Sequence, residues 1–202
     1  MIIIQHRCNS IYELKKTPNK YGIEIDIRTF GKKIILDHDP WNSTGVDFNK
    51  WIKQYFHKIL ILNVKEDGLE KEILKIMKKN HIKNFFFLDQ SFFSLIKTLK
   101  TNEERCALRI SDYESFETAF NIKKKPRWVW LDCFEKTPLD IQKIRKLKKF
   151  HYKICIASPE LHDLKRATEI EETIKKIKKI NFYFDAVCTK VPLVWEKLLV
   201  NL

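Results

Sequence analysis

Gly22-Ile23-Glu24-Ile25-Asp26-Ile27 alternates apolar and polar positions without a break. A period of two is the period of a β-strand, so Glu24 and Asp26 face one side and Ile23, Ile25 and Ile27 the other. Two carboxylates turned to the same side repel each other unless a cation neutralises them or basic groups pair with them. The stretch therefore reads as a strand that packs one face on helices and offers the other to a site.

Outward from it, short apolar runs recur along the whole chain. They are Ile2 to Gln5, Gly22 to Ile27, Ile59 to Val64, Asn84 to Leu88, Arg105 to Ile110, Trp128 to Asp132, Tyr152 to Ala157 and Asp185 to Thr189, eight in all. Between them, apolar residues fall at helical spacing over Leu69 to Lys79, Ser91 to Leu99, Tyr113 to Phe120, Leu139 to Phe150 and Leu161 to Ile180. Ser91 and Ser111 are the expected caps of the helices they precede. A shorter helix is expected over Phe48 to Phe56, and Pro18 leaves the segment after the first strand room for barely two turns. Strands alternating with helices predict an α/β fold with a parallel sheet. Eight such units are the count of a (β/α)8 TIM barrel, with an open doubly wound sheet as the alternative. No linker or low-complexity stretch divides the chain, so one domain over residues 1–202 is expected. A barrel normally takes about 250 residues and can be trimmed to about 200, which makes this a minimal one with short loops.

Barrel chemistry sits at the carboxyl ends of the strands. There the runs turn polar: His6 and Arg7, Glu24 and Asp26, Asn63 and Lys65, Asp89 and Gln90, Arg109 and Ser111, Asp132, Ser158, then Thr189 and Lys190. Histidine, paired carboxylates and a second histidine suit metal-assisted phosphodiester chemistry. Glu24 and Asp26 can grip one divalent cation, and His6 and His38 can take and give protons on either side of a phosphorus.

The net charge of +13 invites a polyanion partner. The lysines, however, fill the solvent faces of helix-like stretches such as Lys71 to Lys79, Lys143 to Lys149 and Lys175 to Lys179, so no nucleic-acid partner is expected. The five cysteines are odd in number and show no CxxC spacing, which fits a reducing cytoplasm better than a disulfide framework. No run approaches the roughly 20 apolar residues of a membrane helix. No signal peptide is expected from Met1-Ile2-Ile3-Ile4. Nothing here fixes an oligomeric state.

The order His6-Arg7, Glu24-x-Asp26, His38-Asp39 resembles the signature of the glycerophosphodiester phosphodiesterase family, with all six signature residues present. The resemblance implies a TIM barrel that cleaves a small glycerophosphodiester or a related alkyl or sugar phosphodiester. It implies His6 and His38 as the acid–base pair, Arg7 and Lys65 as phosphate ligands, and Glu24 and Asp26 as ligands of one Mg²⁺ or Ca²⁺. The family's third strand carries an acidic metal ligand two residues before its lysine. Here that position is Asn63, whose amide oxygen can ligate such a cation but lacks the charge. Asp132 and Asp89, each ending a strand, are candidates to compensate. Phe184 to Pro192 resembles the family's last strand and its Thr-Asp-x-Pro turn, with Lys190 in place of the aspartate. Cys8 replaces the glycine after His-Arg and is a candidate nucleophilic thiol. Trp41, Arg109 and Lys190 are the expected substrate-pocket residues. The competing expectation is a non-catalytic barrel that binds an anionic phosphate ligand, because Asn63 and Lys190 make the mouth more positive than the family pattern.

Overall fold

A computed structural model of the chain describes residues 1–41, 44–179 and 184–201. It forms two compact units, residues 5–106 and residues 1–4 with 107 onward. Strand β1 (Ile2–Gln5) opens the chain and is followed by helix α1 (Ile11–Lys16). A capping box starts α1: Ser10 Oγ accepts the Glu13 N–H at 3.1 Å, and the Glu13 carboxylate accepts the Ser10 N–H at 3.0 Å.

In residues 5–106, β2 (Gly22–Phe30) runs beside β5 (Leu60–Val64), and β5 beside β6 (Phe85–Leu88), all parallel. On the other side of β2, β3 (Lys33–Leu36) and β4 (Val46–Asp47) add two antiparallel strands, giving the order β6-β5-β2-β3-β4. These two lie outside the eight runs. β2 continues three residues past Ile27, and Gly31, at φ +59°, turns the chain back on itself. Helix α2 (Phe48–Trp51) follows β4 and tightens into a 3-10 turn at Ile52–Gln54, so it is shorter than its sequence pattern implies. Helices α3 (Glu70–Lys79) and α4 (Phe92–Lys100) follow β5 and β6. Ser91 caps α4 by accepting the Ser94 N–H. Ile23, Ile25 and Ile27 are completely buried. Each contributes about 1.5–3 kcal/mol relative to an exposed position.

In the second unit, β7 (Ala107–Ile110), β8 (Trp128–Leu131), β9 (Lys153–Ala157) and β10 (Ala186–Thr189) pair in parallel, and β1 lies beside β10. The Ile2 N–H donates to the Asp185 carbonyl at 2.8 Å. Helices α5 (Phe116–Asn121), α6 (Ile141–Lys149), α7 (Ile170–Lys179) and α8 (Pro192–Asn201) alternate with these strands. Ser115, not Ser111, caps α5, because Ser111 Oγ accepts the Tyr113 N–H and closes a turn that ends before the helix begins. The pattern over Leu161 to Ile180 resolves into a 3-10 segment, Leu164–Glu169, and then α7; Ile180 lies outside the described residues. All eight apolar runs are strands, and each keeps its parallel or barrel-order place within its own unit. No described helix is long and apolar enough to cross a membrane.

Candidate active site

β2 extends beyond Asp26, so the two carboxylates sit in its middle, on the face opposite its isoleucines, and both are buried. Register pairs Asp26 with Asn63 on β5. The Asn63 amide donates to Glu24 Oε1 at 2.9 Å. β1 ends at Gln5, and Arg7 adopts the left-handed region at φ +54°, which turns its backbone N–H onto Glu24 Oε2 at 2.7 Å. Its guanidinium reaches back to within 3.6 Å of Asp26 Oδ2. His6 Nε2 lies 3.8 Å from Glu24 Oε2, and Lys65 Nζ lies 3.1 Å from Asp26 Oδ1 and 3.8 Å from Asp89 Oδ2. The structure thus brings His6, Arg7, Glu24, Asp26, Asn63 and Lys65 together.

Asn9, which the sequence did not single out, clamps Asp26 from both sides. Its amide donates to Asp26 Oδ2 at 2.9 Å, and its oxygen accepts the Asp26 backbone N–H at 2.9 Å. The Trp51 indole holds the same loop by donating to the Cys8 carbonyl at 3.0 Å. Burial pushes the Cys8 thiol up to about 12. A thiol that stays protonated at neutral pH is no nucleophile.

Burial, and then the neighbouring Asp26, hold the Glu24 carboxyl well above the ordinary carboxylate range, against the Arg7 N–H, the Asn63 amide and Lys65. The pair is therefore short of positive charge. Asp26 Oδ1 and Asn63 Oδ1 are both buried and have no hydrogen-bond partner. Asn63 Oδ1, with no partner, and Asp26 Oδ1, met only by the Lys65 ammonium, lie on register-paired residues beside Glu24 and form a donor set that fits a hard divalent cation. Among the described residues no three His, Cys, Asp or Glu side chains converge. An amide oxygen would therefore complete the set where a third carboxylate would otherwise stand.

His38 Nδ1 and Asp39 Oδ1 are 2.8 Å apart, and Arg28 Nε donates to the His38 carbonyl at 3.0 Å. The His38 bond, with Arg7 and Arg28 adding to it, holds the Asp39 carboxyl below its usual value. Trp41 is 97% exposed and lies along a cleft of about 460 Å³ with Arg28, Phe30, Asp39 and Glu66.

The remaining expected residues belong to the second unit. Asp132 is buried and has four donors. Oδ2 accepts from the Trp130 indole at 3.0 Å and faces Arg109 Nη1 at 3.2 Å; Oδ1 accepts the Cys133 N–H at 2.9 Å and lies 2.7 Å from His162 Nε2. Phe134 packs on His162 with ring centroids 4.5 Å apart. Lys190 Nζ donates to the Leu161 carbonyl at 2.8 Å. No motif in the sequence around His162 marks it as a partner of Asp132.

No protein-family model and no curated protein sequence matches the chain. Solved structures do. A glycerophosphodiester phosphodiesterase from Thermotoga maritima matches at 20% identity with a TM-score of 0.68, over 98% of this chain and 97% of that one. A glycerophosphoryl diester phosphodiesterase from Parabacteroides distasonis matches at 16% identity and 0.72, over 99% and 86%. A glycerophosphodiester phosphodiesterase from Agrobacterium tumefaciens matches at 10% identity and 0.69, over 98% and 99%. From end to end, then, this chain has the α/β TIM-barrel fold of solved glycerophosphodiester phosphodiesterases.

Proposed function

We infer that the chain is a divalent-cation-dependent phosphodiesterase. Its substrate is a small glycerophosphodiester or a related alkyl or sugar phosphodiester, and His6 and His38 carry the protons. One observation supports this above the others: Asn63, whose buried Oδ1 has no hydrogen-bond partner, stands in register with Asp26 and bonds Glu24, and the cations of Arg7 and Lys65 face Asp26. The fold shared with solved enzymes of that name agrees with it.

The geometry supports a part for each residue. Arg7, the more exposed cation, offers a planar fork matched to two phosphoryl oxygens. Lys65 adds a point charge on the same side. His6 stands beside Glu24, with Nε2 3.8 Å from Oε2, and Asp39 holds His38 Nδ1, leaving Nε2 of His38 to exchange a proton. One histidine takes the proton of the attacking hydroxyl while the other protonates the departing alkoxide oxygen. When bound, Mg²⁺ or Ca²⁺ supplies charge stabilisation at the equatorial oxygens. Attack by water yields a phosphomonoester and an alcohol; attack by the substrate's own hydroxyl yields a cyclic phosphate.

The five cysteines are all buried and unpaired, which supports a reducing, cytoplasmic setting. Lysines such as Lys75, Lys175 and Lys176 pair with glutamates along their own helices, which supports a small anionic ligand over nucleic acid. A second reading, an anion-binding barrel without turnover, draws on Asn63 standing where a charged ligand is expected. Turnover decides between them. Glycerophosphodiesters and sugar phosphodiesters are supplied with Mg²⁺ and with Ca²⁺ separately, and both free alcohol and cyclic phosphate are measured. Cation-dependent product supports the enzyme, and phosphate-ester binding without product under every condition supports the binding barrel.

A further inference from the structure

Lys65 sits on the oxygen a divalent cation would need. Three of the four carboxylate oxygens in the site hold aligned donors: Glu24 Oε2 has the Arg7 N–H, Glu24 Oε1 the Asn63 amide, and Asp26 Oδ2 the Asn9 amide. Asp26 Oδ1 has no hydrogen bond aligned on it, and the Lys65 ammonium covers it at 3.1 Å. That contact is electrostatic, a compact charge on a flexible four-carbon stem. The same ammonium has a second carboxylate within reach, Asp89 Oδ2 at 3.8 Å, at the end of β6.

We propose that Lys65 is a built-in competitor for the divalent cation, which must move off Asp26 before the cation binds. This rests on the phosphodiesterase reading for the presence of a cation at Glu24, Asp26 and Asn63. A divalent cation and an ammonium at one buried carboxylate oxygen repel each other, so each weakens the other's hold on it. The displaced ammonium swings toward Asp89 or, when substrate is present, onto a phosphoryl oxygen. A phosphate therefore favours cation binding by giving Lys65 another partner, and the cation favours phosphate by the same factor. The consequence is a site that loads its cation together with its substrate. Asn63 strengthens the effect: with an amide in place of a third carboxylate, the site has less negative charge with which to draw the cation in against the lysine.

Removing a nearby positive charge would tighten cation binding even without competition, so the ammonium itself must be watched. In the full chain, the side-chain ammonium of Lys65 is followed by nitrogen-15 NMR and identified by its loss in Lys65→Met. Titration with Mg²⁺ should move this signal in step with binding, and subsequent inorganic phosphate should move it again. An ammonium signal that stays in place at saturating Mg²⁺ overturns the proposal. Calorimetry gives the second readout: Lys65→Met should bind Mg²⁺ about tenfold more tightly, within the usual range of coupling between sites. Inorganic phosphate should tighten Mg²⁺ in the unmodified protein by a larger factor than in Lys65→Met. Equal factors overturn the competition while leaving the phosphodiesterase reading standing. Absence of Mg²⁺ and Ca²⁺ binding in both proteins overturns the cation assignment and the competition with it.

Discussion

Asp132→Asn should destabilise the protein by about 2–4 kcal/mol, with or without a divalent cation. Removing one partner of a buried ion pair costs about 3–5 kcal/mol. Here the side chain is buried, but Arg109 and His162 are 27% and 33% exposed, so water takes over part of their solvation. The asparagine oxygen also keeps one acceptor for the Trp130 indole or the Cys133 N–H. For a chain of this length each kcal/mol moves the Tm by roughly 2–4 °C. Urea unfolding at pH 7, run in chelator and again in Mg²⁺, measures the loss. The acid limb gives a further check. Burial alone would raise the Asp132 carboxyl, but the His162 hydrogen bond, Arg109 and the Trp130 indole outweigh it and hold it below its ordinary value. A depressed native pKa means that the unfolded chain takes up the proton first as pH falls. The stabilisation is therefore complete above the ordinary aspartate range and is lost as pH drops through the native value. The gap between the two proteins should close in acid. An unchanged stability at pH 7, or a loss that appears only in Mg²⁺, would refute this; the latter would make Asp132 a cation ligand.

Replacing His6 or His38 with Ala should lower turnover about 10²- to 10⁴-fold, the usual worth of a positioned acid or base. Circular dichroism should show the fold intact, since His6 lies just past the end of β1 and His38 is in a loop. Asn9→Ala removes both hydrogen bonds of the Asp26 clamp, should cost about 1–3 kcal/mol in urea unfolding, and should reduce the Tm rise on adding Mg²⁺. Asn63→Glu should melt lower in chelator, because a third carboxylate joins an undercompensated pair. Mg²⁺ should restore it, by about 2.7 kcal/mol at a hundredfold excess over Kd. No Mg²⁺-dependent gain over the unmodified chain would remove Asn63 from the cation site.

Local periodicity carried the eight strands and most helices. Alternation in Gly22 to Ile27 placed Glu24 and Asp26 on one face, and that is where they stand, because nothing beyond the strand's own pleat was needed. The β3–β4 hairpin was harder, since its strands are four and two residues long and their pairing crosses a loop. Ser111 and Ser115 both precede the α5 pattern, and the local turn in which Ser111 accepts the Tyr113 N–H decides between them. Long-range partners were the illegible part. Asn9 meets Asp26 from 17 positions away and His162 meets Asp132 from 30, and neither carries a motif. Asp132 at a strand end read as a cation ligand, yet the indole of Trp130, two residues back on the same face, already shares it. The conflict between Lys65 and a cation over Asp26 Oδ1 likewise becomes visible only once both distances are in hand.

A crystal structure of the chain soaked with Ca²⁺ and a non-hydrolysable glycerophosphodiester analogue would show cation, lysine and both histidines at once. A cation is expected on Glu24, Asp26 Oδ1 and Asn63 Oδ1, with Lys65 withdrawn from Asp26. Phosphoryl oxygens are expected on Arg7 and Lys65, and the rings of His6 and His38 within hydrogen-bond reach of the ester oxygens. No cation at Glu24, with Lys65 still on Asp26 and the analogue bound away from both histidines, would contradict it.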